Sequence, residues 1–214
     1  MSLPRRWTRR GVVVPGPPAG HPWWASHAQT PTPLVFGPRH WRVYFSARDA
    51  SNRSRIIFVD IDPLDDMRVL SMHDIPLLAL GPPGRFDSAG QGASHAVRDG
   101  DKVLLYYVGM HLRVEVPYAI CVGLAESLDG GNSFSPVAKG PILSPGPLDP
   151  YFASLIHVTP QREGAWAGWF MTGTGWEERP NGVHDPVYGL RRAVSPDGRQ
   201  WTPTTVTIGV DEGI

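Results

Sequence analysis

Short apolar and aromatic runs, each bounded by clusters of Gly, Pro, Asp or Asn, follow one another along the chain. Runs of about four to eight β-branched and aromatic residues framed by turn residues read as strands. No window of about eleven residues carries the apolar stripe of an amphipathic helix. The pattern predicts an all-β protein. Its clearest piece is Ala93 to Arg98, a turn at Asp99-Gly100, and a return through Val103 to Val108. Asp-Gly supplies the positive φ angles that a tight hairpin requires.

Four such runs in series make one unit, and the series repeats. The first unit, within residues 23–80, predicts strands at His27 to Phe36, Trp41 to Asp49, Arg55 to Asp62 and Arg68 to Met72. The second, within 81–146, has Ala93 to Arg98, Val103 to Val108, Tyr118 to Ala125 and the region Ser135 to Leu143. The third, within 147–210, has Ser154 to Val158, Ala165 to Met171, Val187 to Val194 and Thr204 to Ile208. Residues 1–22 read as a strand over Trp7 to Pro15 and a Pro/Gly loop. The aromatic second strands align at Tyr44, Tyr106 and Trp169, 62 and 63 residues apart, and Ser127-Leu128-Asp129-Gly130 aligns with Ser195-Pro196-Asp197-Gly198.

Sheets repeating at a fixed period mean radial or solenoid stacking. The architecture that stacks four-stranded antiparallel meanders is the β-propeller, which hides strand edges by packing blades about an axis. About three blades are present, against roughly four to eight in closed propellers. The chain is therefore expected to be part of a larger ring, a fragment of a longer protein rather than a ring completed by a second copy. Neither terminal unit has the polar outer face of a cap.

Composition narrows the function classes. Twenty basic and twenty acidic side chains cancel, so no global field recruits nucleic acid or an anionic membrane. The basic cluster Arg5, Arg6, Arg9 and Arg10 precedes an apolar run, Val12 to Val14, that is too short for a signal peptide. Nothing later approaches membrane-spanning length, and a cytoplasmic location is expected. Cys121 is alone, which excludes an internal disulfide, and its apolar run predicts a buried inert thiol. The eight His show no close ligand spacing, and there is no phosphate loop, dinucleotide fingerprint or nucleophile elbow. No metal and no cofactor are expected.

The candidate chemistry lies at the ends of predicted strands. Asp87 sits on a Gly-flanked loop ahead of the first strand of unit two, and Asp149 holds the same place in unit three. Each is either a turn-capping acid or a group presented at the mouth of a funnel. Arg48-Asp49 ends an apolar strand, as an ion-paired rim or as an Arg reaching a ligand with its forked guanidinium. Trp176 beside Glu177 offers an aromatic platform next to an acid, or a solvated loop. His27 and His95 begin first strands, whereas His157 lies within an apolar strand as a satisfied core residue.

Two resemblances add to this reading. Ser127-Leu128-Asp129-Gly130-Gly131-Asn132-Ser133-Phe134 resembles the Asp-box of sialidases and related propellers, a hairpin device in which the carboxylate accepts backbone N–H bonds and the aromatic pins the loop. Ser195 to Trp201 is the same box one residue shorter. More widely, Trp24-Ala25-Ser26-His27-Ala28-Gln29-Thr30-Pro31, Tyr44 to Asp49 with Ser54-Arg55-Ile56, Gly84-Arg85-Phe86-Asp87-Ser88-Ala89-Gly90, and Asp149-Pro150-Tyr151 resemble the five-bladed propellers of the family 43 and family 130 glycoside hydrolases and phosphorylases.

That resemblance covers nearly the whole chain from Trp7. It implies a ring of five blades around a central funnel that binds a sugar. It also implies Asp87 as acid, with Asp149 and Glu177 as further carboxylates and His27, Gln29, Arg48, Asp49, His95, Tyr151 and Trp176 as substrate contacts. Family 43 places a carboxylate on each of three blades, and here the first of these places holds His27-Ala28-Gln29. Family 130 pairs one Asp with basic residues that hold phosphate, a role open to Arg48 with His27 or His95. The expected activity is that of a glycosidase or glycoside phosphorylase. The alternatives are a catalytically inactive sugar-binding propeller, which the missing first carboxylate favours, and a protein-interaction scaffold that uses the rim.

Overall fold

The computed structural model describes residues 8–161 and 164–209. Among them are twelve strands and no α-helix. The first unit is β1 (Ser26–Gly37), β2 (His40–Arg48), β3 (Ser54–Asp62) and β4 (Arg68–His73), each antiparallel to the one before. The second is β5 (Gly90–Asp99), β6 (Lys102–Leu112), β7 (Tyr118–Ser127) and β8 (Ser135–Pro136). The third, a separate sheet, is β9 (Ala153–Pro160), β10 (Trp166–Glu178), β11 (His184–Ser195) and β12 (Thr202–Ile208). One parallel residue pair, Ser54 with Gly90, joins the first two units.

The packing follows from strand periodicity. Along β6, Val103, Leu105 and Tyr107 point into the cluster shared with unit one, with Tyr44, Phe58, Phe86 and Phe134. Leu104 and Tyr106 point the other way, into a cluster with Ile156, Phe170 and Trp201 of unit three. Successive side chains leave opposite faces of a strand. A strand buried on both faces is therefore continuously apolar, as Val103-Leu104-Leu105-Tyr106-Tyr107-Val108 is.

Hydroxyl bonds at the repeat period stitch the three first strands together. Thr32 Oγ1 on β1 donates to the Ser94 carbonyl on β5 at 3.4 Å, and Ser94 Oγ donates to the Ile156 carbonyl on β9 at 2.8 Å. The two turn boxes lock the sheets farther out. Asp129 Oδ1 accepts the Asn132 and Ser133 N–H groups at 2.9 and 3.0 Å, and the Gly131 carbonyl so presented accepts Tyr44 Oη of the preceding unit at 3.0 Å. In unit three, Asp197 accepts the Arg199 and Gln200 N–H groups, and the Gly198 carbonyl accepts Tyr106 Oη at 2.6 Å. The two landmarks that recur in the sequence are thus the two halves of one contact.

Three strand expectations change. Residues 8–15 form no strand, and Trp7 lies outside the described residues. Gly11 and Gly16 take φ angles of 128° and 134°, and Val14 packs on the apolar face of Trp24, Phe45, Val59 and Ile61 instead of pairing with a strand edge. The fourth strand of unit two shrinks to Ser135–Pro136, because the prolines at 136, 141 and 145 offer no N–H to a ladder. Beyond it the chain touches β7 only in single hydrogen bonds, Val137 N–H to the Leu124 carbonyl and Ile142 and Leu143 with Val122. Conversely, β10 runs on to Glu178, so Trp176 and Glu177 lie on a strand paired with Pro186 and Asp185 and not in a loop.

Candidate functional site

Strands β1, β2, β3, β5, β6, β7, β9 and β11 all contribute to a cavity of about 270 Å³. Its polar wall is made of Gln29, Thr30, Ser46, Arg48, Gln91 and Ser154, with the Tyr118 and Tyr188 hydroxyls 3.4 Å apart beside them. Val108, Met110, Ile120 and Leu155 supply the apolar part. No carboxylate is among the lining residues. A second cavity of about 260 Å³ shares Thr30 and Leu155 with the first and continues between β1, β5 and β9 to His157. Thr30 and Leu155 both hold positive φ, 51° and 29°, at irregularities in the β1–β2 and β9–β10 pairings. Such bulges re-aim neighbouring side chains.

Arg48 closes β2. Its Nε donates to Gln29 Oε1 at 3.3 Å and its Nη1 to Asn52 Oδ1 at 2.9 Å. Gln91 follows Gly90, whose lack of a side chain lets β5 meet Ser54; a Cβ there would stand 2.5 Å from Ser54 Oγ. Gln91 is 1% exposed, and its Nε2 donates to the Ala79 carbonyl and to Asp87. Gln29 and Arg48 are thus brought together at the cavity.

The carboxylates stand elsewhere. Asp87 is wholly buried behind Gln91. Arg85 grips it through Nε at 2.7 Å and Nη2 at 3.1 Å, and Tyr107 Oη donates to it at 3.4 Å. Gly109 makes room for this loop, since a Cβ there would lie 2.4 Å from the Phe86 ring and 2.8 Å from Asp87 Cβ. The Arg85 guanidinium is raised in pKa by its bond to Asp87, and burial beside that carboxylate pushes the Tyr107 phenol well up. Asp149, 2% exposed, accepts from Thr172 Oγ1 and, at 2.7 Å, from Arg191 Nε. The two acids belong to separate clusters that share no residue.

The remaining candidates divide. Asp49 is buried against the Ser51 and Arg53 N–H groups and the Arg53 and Arg55 guanidinium groups, which shapes the β2–β3 turn. Glu177 is exposed at the end of β10 and lines neither central cavity. Tyr151 and Trp176 line a different cavity of about 490 Å³ with the segment 112–116, where Trp176 meets Tyr118 edge-on at 5.4 Å. His27 is exposed and bonds Ser26 Oγ. His95 stacks edge-on against His157 at 4.2 Å, and burial together with that neighbour pushes its pKa down to about 4. Among the described residues no group of three or more His, Cys, Asp or Glu is placed to hold a metal ion.

Sequence reasoning missed Gln91, Ser46, Ser154, Tyr118 and Tyr188. One signal was available: Gln91 stands one repeat period after Gln29, near the start of the equivalent first strand. The others come from strand faces that only the packing reveals.

No family model matches the chain. It is 33% identical over 195 residues to the uncharacterized protein Rv1502 of Mycobacterium tuberculosis strain H37Rv, and equally to the uncharacterized protein MT1551 of strain CDC 1551. The match takes in 91% of this chain and 63% of each relative, so the chain spans less than two-thirds of the length of these curated relatives. Among solved structures it is similar to Zg3597, a family 117 glycoside hydrolase of Zobellia galactanivorans, with TM-score 0.60 and 18% identity over 92% of this chain and 50% of that one. It is also similar to a thermostable family-43 glycoside hydrolase, with TM-score 0.59 and 17% identity over 86% and 55%. A third likeness is to sucrose-6-phosphate hydrolase from Lactobacillus gasseri, with TM-score 0.60 and 15% identity over 91% and 36%. These likenesses show the fold, an all-β arrangement of the propeller glycosidase kind.

Proposed function

We propose that the chain is a carbohydrate-recognising part of a propeller, and that the central cavity is its sugar site. The observation that carries this is the wall itself: two side-chain amides, several hydroxyls and one guanidinium interleaved with apolar surface, beside two tyrosines. A sugar presents a ring of hydroxyls that both donate and accept, on a body with apolar faces. Amides and hydroxyls answer the first property, and aliphatic and aromatic surface the second. Propeller blades beyond these three, five in a full ring, complete the funnel in this reading. Calorimetric titration of the 214-residue chain with a sugar panel tests it. Gln29→Ala, which removes one wall amide, is expected to weaken the binding of whichever sugar is held, with the melting temperature kept. Failure of the unsubstituted 214 residues to bind any sugar removes the proposal.

A second reading, cleavage of a glycosidic bond, draws on the position of Asp87 one side chain behind the cavity wall. Gln91 both lines the cavity and donates to Asp87 at 3.1 Å. In that reading Arg85, which donates two hydrogen bonds to the carboxylate, must leave it before the acid can meet a glycosidic oxygen. Aryl glycosides offered to the wild type and to Asp87→Asn separate the two readings. Turnover that the variant abolishes supports cleavage, and no turnover in the unsubstituted 214 residues leaves recognition alone.

A further inference from the structure

We propose that the cavity selects sugars carrying an anionic group, a carboxylate or a phosphate, and that Arg48 is the residue that reads it; this rests on the carbohydrate reading above. Most arginines of the three sheets are neutralised. Arg42 is paired with Asp60, Arg53 and Arg55 with Asp49, Arg85 with Asp87, Arg191 with Asp149, and Arg199 with Asp99. Arg48 is held differently. Among the described residues its partners are two amide oxygens, Gln29 Oε1 and Asn52 Oδ1, and its Nη2 has none. Amide oxygens orient a guanidinium without cancelling its charge. The adjacent Asp49 does not cancel it either, since its carboxylate is committed to Arg53, Arg55 and two backbone N–H groups. An oriented, unneutralised guanidinium on a cavity wall without a carboxylate is matched by an anion that takes two N–H groups at once.

Gln91 gives an independent indication on the same wall. Its Nε2 faces the Ala79 carbonyl at 3.0 Å and Asp87 Oδ2 at 3.1 Å. Both are acceptors, which fixes the orientation of the amide. The other end, Oε1, is then buried with no hydrogen-bond partner. An orphaned acceptor destabilises a protein until a donor meets it, and a sugar hydroxyl is such a donor. Arg48 calls for negative charge and Gln91 for a hydroxyl, and one acidic sugar or sugar phosphate meets both demands.

The test is calorimetry on the 214-residue chain with glucuronate, galacturonate, glucose 6-phosphate, glucose, galactose and inorganic phosphate. Binding of the uronates or of the sugar phosphate, tighter than of the neutral sugars, is expected, and whichever binds identifies the source of the anion. Arg48→Ala is expected to weaken that binding about ten- to a hundredfold, as the loss of a charge-assisted bond would. Arg48→Lys, which keeps the charge and loses the fork, should fall between. Arg48→Gln takes the place of Arg48→Ala if the latter does not fold. Neutral sugars that bind as tightly as acidic ones, or acidic sugars that bind Arg48→Ala unchanged, overturn the inference and leave the carbohydrate reading standing. Inorganic phosphate binding as tightly as the sugar phosphate also overturns it. Binding of no sugar at all removes the carbohydrate reading itself.

Discussion

Replacing Asp87 by Asn separates an acid held for architecture from one held for chemistry. Every side-chain group that touches the carboxylate is a donor: Arg85 Nε and Nη2, Gln91 Nε2 and Tyr107 Oη. An amide placed there turns one of its ends into a donor as well. With its oxygen kept at the Oδ2 position, its NH₂ meets Arg85 Nε where the oxygen stood at 2.7 Å. Breaking one side of a buried ion pair costs about 3–5 kcal/mol. The Arg85 side chain is 29% exposed and can turn to water, so the lower end, about 3 kcal/mol, applies here. For a chain of this size that lowers the melting temperature by about 6–12 °C. Arg85→Ala should cost more than Asp87→Asn, because it strands a carboxylate that is wholly buried. Urea unfolding followed by tryptophan fluorescence measures both. An Asp87→Asn variant as stable as the parent, or more stable, would refute the anchor argument, since active-site acids are commonly kept at a cost in stability.

Three other outcomes follow from the geometry. Tyr44→Phe leaves the Gly131 carbonyl without its donor and should cost about 1–3 kcal/mol, whereas Tyr106→Phe should cost about 0.5–1.5 kcal/mol because Trp201 Nε1 still donates to the Gly198 carbonyl; urea unfolding that shows the reverse order contradicts this account of the boxes. Burial and the His157 neighbour hold the pKa of His95 at about 4 against an ordinary 6.5, so between these values the unfolded chain binds a proton that the folded chain refuses. Stability should therefore fall as the pH is lowered from 6.5 to 4, and His95→Phe should flatten that limb in a series of urea melts. Gly109→Ala should cost several kcal/mol, because its Cβ meets the Phe86 ring and Asp87 Cβ below van der Waals distance, and a melting temperature close to that of the parent would disprove the close approach.

The order of strands was legible because local chemistry decides it. Tyr44, Tyr106 and the Ser-X-Asp-X boxes recur together since each tyrosine docks on the box of the following unit. The Val12 to Val14 run has the propensity of a strand, but a strand also needs an edge to pair with, and of this run only Val14 packs on the apolar face of the first sheet while Val12 and Val13 are exposed. The length of β10 was hidden because Thr172 to Gly175, rich in Gly and Thr, has the composition of a turn while β11 pairs with it across a bulge at Thr174. At the site, Arg48 and Gln29 were visible as strand-end polar residues. The partner of Asp149 was not, since Arg191 comes from 42 residues away. The distinction between an exposed acid and an ion-paired one is made by such distant partners.

The loops ahead of the three first strands show what the acids at Asp87 and Asp149 have in common. Each loop must be fastened where the chain enters the centre of the array. In unit two the fastener is Asp87 with Arg85, two residues upstream; in unit three it is Asp149 with Arg191, reached across the sheet. The counter-charge arrives from unrelated places in the chain, yet it arrives in both. A carboxylate placed only to meet a ligand would have no use for a guanidinium that already occupies its oxygens. In unit one the same task falls to Trp24, 1% exposed, whose indole N–H donates to the His27 carbonyl at 2.5 Å while its ring stands edge-on to Phe45. The position that lacks a carboxylate in the sequence is therefore filled by another anchor. The polar lining of the cavity is left to the strand residues Gln29, Arg48 and Gln91.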